Sequence, residues 1–220
     1  SIETFPHHIT KLLKKADQLS RDKLQVVAIG GGSVLDFAGF IASTLKRGVQ
    51  FVSIPSTWLA AVDAAHGGKT ALNVAAIKNQ LGTFYNAKKI YLLKDLLFAQ
   101  PEKLANQAFA ELLKISLIDG GAWARSLHSS HLKGAKLMWK YLPSAIAAKY
   151  CVVKKDPYEK NGHRQILNLG HTVGHVLESF YNCSHGQAVC HGLDFAIKWS
   201  VQKKMLAPSE ALTYQELLKL

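Results

Sequence analysis

The sequence predicts an α/β N-terminal part, with a parallel, Rossmann-like and incomplete sheet, followed by an all-helical C-terminal domain. Three observations carry this. Two short apolar, β-branched runs flank a helical stretch near the start; strand signals end by Pro101; and four long segments of helical periodicity follow. Residues 9–20 read as an amphipathic helix. Residues 24–29 (LQVVAI) form an apolar run ending at Gly30-Gly31-Gly32, the pattern of a buried strand. Residues 33–45 are helical in period, and residues 49–54 (VQFVSI), between Gly48 and Pro55, are a second strand. This is a β-α-β unit, for which a right-handed crossover is expected. A third strand is predicted at residues 89–93, and helices over 102–120, 135–153, 165–181 and 186–204. The domain boundary falls near residue 98, giving a partial α/β domain over 1–97 and a helical domain over 98–220. Three strands make a thin sheet for a nucleotide-binding domain, so further sheet is expected on the N-terminal side of Ser1.

The chain has 220 residues, 48% of them hydrophobic and 19% charged, which suits a packed core and excludes a disordered tail or a charged coil. Cys151, Cys183 and Cys190 form no CxxC pair and are odd in number, which argues against a disulfide scaffold and for the cytoplasm. The N-terminus lacks the pattern of a signal peptide and no apolar run approaches about 18 residues, so neither export nor a membrane partner is expected. Lys and Arg number 27 against 15 acidic residues, a formal charge of +12, but they are scattered, with no RGG tract or zinc-knuckle spacing. That pattern points away from nucleic acid and toward a small anion such as a phosphate ester or a carboxylate.

Three clusters carry chemistry. Gly30-Gly31-Gly32-Ser33 lies between a strand and a helix, where backbone N–H groups at a helix N-terminus suit a phosphate. It falls short of the dinucleotide fingerprint, because Leu35 stands at the third glycine and no acidic residue occurs between Asp36 and Asp63. A nucleotide site and an ordinary tight turn both remain open. Asp63 to Asn73, with Lys78-Asn79, is the second cluster. Its Gly67-Gly68-Lys69-Thr70 fails the P-loop spacing, which leaves a Gly-rich loop bearing two lysines, suited to an anion or equally to solvent. In the third, His171, His175 and Glu178 share a helix face, Gly170 and Gly174 permit close approach, His185 follows a turn, and Glu111 and Lys114 share an earlier face. This Glu/His set suits a catalytic zinc, and hydrogen-bonded packing is the other reading.

Together these clusters resemble the 3-dehydroquinate synthases of the sugar-phosphate cyclase superfamily, from Gly30 to about Gly192. The family's GGG-x-x-x-D turn is similar to Gly30 through Asp36, and its Arg-Gly strand entry to Arg47-Gly48. Its P-T-T-x-L-A-x-V-D-x-x-x-G-G-K-T resembles Pro55 through Thr70, and its K-N-x-x-G-x-F resembles Lys78 through Phe84. A-E-x-x-K is matched by Ala110 through Lys114, and R-x-x-L-N-x-G-H-x-x-G-H by Arg164 through His175. His185-Gly186 resembles the H-G-E turn, with Gln187 at the glutamate.

The resemblance implies a metal, Zn2+ or Co2+, on Glu111, His171 and His185, which moves His175 from ligand to a substrate or proton-relay group. It implies NAD against Gly31, Gly32, Asp36, Ser56, Thr57, Asp63, Lys69, Lys78 and Asn79. Lys69, Lys114, Lys149, Arg164 and Asn168 would hold an anionic sugar-phosphate substrate, and Arg47 would reach a neighbouring subunit's site in a homodimer. The implied reaction takes 3-deoxy-D-arabino-heptulosonate 7-phosphate to 3-dehydroquinate and phosphate, a step of aromatic amino acid biosynthesis, with NAD used catalytically. The family's N-terminal strands and a lysine near its C-terminus have no counterpart here, so weak NAD binding is expected of these 220 residues. The competing expectations are another sugar-phosphate cyclase, a metal-dependent polyol or glycerol dehydrogenase, and a non-catalytic homologue.

Overall fold

The structure, a computed structural model, describes residues 1–75, 77–181 and 183–218. The chain forms two compact units, Ser1–Ala99 and Gln100–Leu220.

In the first unit, α1 (Phe5–Ala16) leads to β1 (Gln25–Gly30), α2 (Gly32–Thr44) and β2 (Gln50–Pro55). Strand β5 (Lys89–Ile90) completes a parallel sheet in the order β1-β2-β5, with Gln25 opposite Gln50 and Val52 opposite Lys89. A short helix, α3 (Lys94–Phe98), closes the unit. Leu35, Ile41 and Ala42 of α2 pack with Ala28, Val49 and Phe51 as the core, and Phe5, Ile9 and Leu12 of α1 lean on the same cluster. The expected fully buried first strand is corrected: Val27 and Ile29 are 52% and 62% exposed. Strand residues alternate between faces, and the clustered helices cover only one of them.

The predicted Gly-rich loop is also corrected. Past Gly67 and Gly68 the chain forms an antiparallel hairpin of β3 (Lys69–Val74) and β4 (Ile77–Phe84), with Lys69 opposite Phe84. Thr70 and Leu72 point inward, and Thr70 packs on α2 so closely that a Cβ on Gly39 would lie within 2.4 Å of its methyl. Strand β4 gives little signal because it is exposed along nearly its whole length and has no apolar face to alternate.

The second unit is helical: α4 (Glu102–Asp119), α5 (Ala122–His128), α6 (Gly134–Lys155), α7 (His171–Tyr181), α8 (His185–Gln202) and α9 (Pro208–Leu218). Helices α5 and α9 are additions to the prediction. The helix expected over 165–181 is divided into a 3-10 stretch, His163–Asn168, and α7. Gly170 at φ +80° stands at the break and sets the new direction. Among the described residues no helix is long and apolar enough to cross a membrane, and all three cysteines are free.

Candidate metal centre

Glu111 from the middle of α4, His171 from the first position of α7 and His185 from the first position of α8 bring one ligand atom each to within 4.8 Å of one another. Glu111 Oε1 is 3.3 Å from His171 Nε2 and 3.1 Å from His185 Nε2. The carboxylate is wholly buried while the imidazole side chains keep 15% and 29% exposure, so solvent reaches the group from the histidine side.

Glycines let these three elements touch. A Cβ on Gly186 would lie 2.1 Å from the Gln107 carbonyl, so α8 begins in backbone contact with α4 one turn before Glu111. A Cβ on Gly192 would lie 1.8 Å from the Gly170 carbonyl, just ahead of His171, and one on Gly174 would press on the Ala188 carbonyl at 3.2 Å. Gly170 and Gly174 were legible as close-approach positions; Gly186 and Gly192 carry the tighter contacts and were not singled out. Ser184 and Gln187 form a capping box at the start of α8. Gln187 therefore does the work that glutamate does in such a box, and the departure from H-G-E leaves His185 anchored.

The ring tautomers are set from behind. His171 Nδ1 faces the Leu169 carbonyl at 3.3 Å and His185 Nδ1 faces Glu178 Oε1 at 3.2 Å. Both partners only accept, so each Nδ1 donates, which leaves Nε2, facing Glu111 Oε1, as the nitrogen of each ring able to ligate an ion once it carries no proton. Two imidazole Nε2 atoms and a carboxylate oxygen converging on one region call for a shared positive charge there, a proton or a metal ion. The hydrogen bond to Glu111, against the effect of burial, makes His185 hold its proton more tightly than an ordinary histidine. Burial pushes the Glu111 carboxyl up, but the Lys114 ammonium and the two imidazoles outweigh it and hold the group well below the carboxylate range. Lys114 Nζ sits 2.5 Å from Glu111 Oε2, yet Oε2 makes no aligned hydrogen bond and keeps lone-pair capacity.

This donor set fits a zinc-like ion. Bonds of about 2.0–2.2 Å place tetrahedral ligand atoms roughly 3.3 Å apart, close to the 3.1 and 3.3 Å edges seen here. Imidazole nitrogen and carboxylate oxygen suit zinc or cobalt, three protein ligands leave a coordination position open, and both histidines have the second hydrogen bond that ligating imidazoles require. The nearby Cys190 thiol is not a competing nucleophile, since burial and then the Glu111 charge push it up to about 11.

The other predicted substrate residues of this unit are not equally placed. Lys114, Lys149 and Arg164 are buried. Arg164 Nη1 donates to the Pro157 carbonyl at 2.9 Å, and its backbone N–H donates to Asp156 Oδ2 at 3.2 Å. Asp156 was missed by sequence reasoning. Burial pushes its carboxyl up, but N–H groups from Arg164, Asn161 and Lys160 bring it below the usual range. His175 is exposed one turn beyond His171, ring centroids 5.4 Å apart, and Asn168 is exposed at the end of the 3-10 stretch.

In the first unit the predicted NAD residues fall into two groups. Gly31 caps α2 and Gly32 begins it. A Cβ on Gly31 would meet Thr57 at 3.3 Å, and one on Gly32 would meet Ala64 at 3.3 Å, so both strand exits and the π-helical turn Ala60–Ala64 that carries Asp63 lie together. Ser56 follows β2 directly. Asp36, Ser53 and Lys69 line a cavity of about 10 Å³, room for roughly one water. Burial, and then the charge of Asp63, push the Asp36 carboxyl up to about 7. Lys78 and Asn79 lie on exposed β4, where Asn79 N–H donates to Asn73 Oδ1 at 2.9 Å. Lys69 is at the other end of the hairpin, four strand residues from Asn73 or about 13 Å, so the two lysines do not share a loop. Arg47 is exposed at φ +64°, beside Lys46 at φ +46°.

A family model described as 3-dehydroquinate synthase N-terminal matches residues 1–107, and one described as 3-dehydroquinate synthase C-terminal matches residues 108–220. A 3-dehydroquinate synthase of Alkaliphilus oremlandii is 38% identical over 213 residues, which cover 94% of this chain and 58% of that protein. The chain thus spans little more than half the length of this curated relative. A crystal structure of 2-deoxy-scyllo-inosose synthase matches all of this chain and 62% of its own, with a TM-score of 0.85 and 27% identity. Another of that synthase, complexed with carbaglucose-6-phosphate, NAD+ and Co2+, gives a TM-score of 0.84 and 25% identity over all of this chain and 60% of its own.

Proposed function

The chain belongs to the 3-dehydroquinate synthase family, and from that premise we propose that it serves the conversion of 3-deoxy-D-arabino-heptulosonate 7-phosphate to 3-dehydroquinate and phosphate. The observation that carries the reading is the convergence of Glu111, His171 and His185, with an acceptor behind Nδ1 of each ring. These three residues would hold Zn2+ or Co2+, and Gly31, Gly32, Asp36, Ser56, Thr57, Asp63, Lys69, Lys78 and Asn79 would hold NAD. A metal held there would supply Lewis-acid polarisation of a substrate hydroxyl, and NAD held there would supply reversible hydride chemistry.

The chain's own residues bind, orient and move protons. Lys114, whose ammonium adjoins Glu111, keeps that carboxylate ionised and offers its remaining N–H donors to substrate oxygens. Lys149 and Arg164 supply fixed positive charge for the carboxylate and phosphate. Their burial makes those charges stronger attractors than exposed ones, and the Pro157 carbonyl holds the guanidinium in direction. Asn168 orients a hydroxyl. His175, exposed beside His171, relays a proton between substrate and water. In this reading the protein works in the cytoplasm as a homodimer, with Arg47 directed to the partner's site.

Phosphate release from heptulosonate phosphate, with substoichiometric NAD+ and added Zn2+, tests the proposal. Release that is lost in Glu111→Ala is the expected result. The likeness to 2-deoxy-scyllo-inosose synthase supports a second reading, a related cyclase acting on a hexose phosphate; release from glucose 6-phosphate alone would replace the first reading with it. NADH accumulation from a simple polyol would favour a dehydrogenase, and a folded chain that holds no metal would favour a non-catalytic homologue.

A further inference from the structure

The far side of His185 carries an inference that rests on the metal reading above. Glu178 Oε1 lies 3.2 Å from His185 Nδ1, on the opposite edge of the ring from Glu111. Glu178 is seven residues, two helical turns, after His171 on α7, so the two share a face of that helix. Helix α7 thereby presents both a ligand and the group that faces a ligand borne by α8. The Glu178 side chain is only 17% exposed and acceptor-only when ionised, and its partner ring is held at the capped start of α8.

We propose that Glu178 is a positioning residue of the metal centre, which acts through His185 by accepting from Nδ1 and so holding the ring with Nε2 aimed at the ion. The alternative tautomer of His185 would place its proton on Nε2, 3.1 Å from Glu111 Oε1. That proton would bond to the Glu111 carboxylate and occupy the direction from which a metal is bound. Glu178 disfavours this metal-free arrangement, because the same tautomer would set a bare Nδ1 lone pair against a carboxylate oxygen. It leaves Nε2, not Nδ1, as the nitrogen that turns to an ion.

The test is a Co2+ titration of the full chain by equilibrium dialysis, with the visible absorption band recording ligand geometry and the metal-free melting temperature recording the fold. Glu178→Ala and Glu178→Leu, which lack an acceptor, are expected to weaken Co2+ binding about 10–100-fold and to alter the band. Glu178→Gln, whose amide oxygen still accepts, is expected to recover most of the affinity. A folded Ala or Leu variant with wild-type affinity and band overturns the inference, as does a Gln variant no better than Ala. If Ala unfolds, Leu and Gln decide the matter by the same criteria. A wild-type chain that takes up no Co2+ overturns the metal reading and this inference with it, whereas wild-type binding that survives loss of Glu178 overturns this inference alone.

Discussion

In Gln100–Leu220 the charged side chains at Glu111, Lys114, Lys149, Asp156 and Arg164 are almost wholly buried, whereas in Ser1–Ala99 Arg47, Lys69 and Lys78 lie exposed on a turn and a hairpin. Burying an ion costs several kcal/mol unless partners compensate. The helical unit compensates with a carboxylate shared by Lys114 and two imidazoles, and with backbone N–H groups on Asp156. The surrounding protein groups therefore fix the positions of its ligating side chains. The α/β unit offers a glycine turn and two neighbouring carboxylates, on a sheet with one face uncovered at Val27 and Ile29. The difference separates a buried, internally compensated cluster from a set of mostly exposed side chains spread over a turn and a hairpin.

The largest test of that contrast is metal removal. About one Zn2+ or Co2+ per chain is expected, falling to none in Glu111→Ala or His185→Ala by elemental analysis. Metal at a hundredfold excess over its dissociation constant should add about 2.7 kcal/mol to the stability of the wild-type helical unit. The same addition should leave hydrogen exchange in β1 and β2 unchanged. By calorimetry the chain is expected to bind NAD+ more weakly than micromolar.

Close packing comes next. Gly192→Ala drives a methyl into the Gly170 carbonyl, so about 3 kcal/mol of stability and the metal affinity should go together in a denaturant titration with Co2+ readout. Gly32→Ala, which meets only the Ala64 methyl at 3.3 Å, should be near neutral.

Asp36 provides a pH test of the first unit. Its native carboxyl is raised from 3.8 to about 7, so between those values the folded chain holds a proton that the unfolded chain has released. Stability then falls as pH rises through that window and levels off above it. Asp36→Asn should be more stable than wild type at pH 8, by on the order of 2 kcal/mol after screening of a partly exposed group. The gap should close toward pH 4, and a pH-independent gap would contradict the assignment.

The smallest effect belongs to the bare sheet face. Val27→Thr and Ile29→Thr should each cost under about 0.5 kcal/mol by thermal melting, despite lying in a strand whose apolar run reads as buried.

What the linear sequence determined was the β-α-β start, the glycine turn after β1, the helical second half and the residue types of the metal centre. Strands and helices with a strong apolar period are local properties, and the family motifs name Glu111, His171 and His185 one by one. Helical spacing alone pointed to His171 with His175, because i and i+4 is a pattern visible along the chain. The resemblance put His185 in the set with Glu111, 74 residues away, but only tertiary contact could show the distances at which they meet and that Glu178 stands behind the ring. The same holds for Gly186 and Gly192, whose value lies in which carbonyl each one meets across a helix pair. It holds too for β3 and β4, where pairing supplies the order that an exposed, aperiodic strand lacks. Burial, close approach and tautomer depend on neighbours remote in sequence, and those neighbours are chosen by packing.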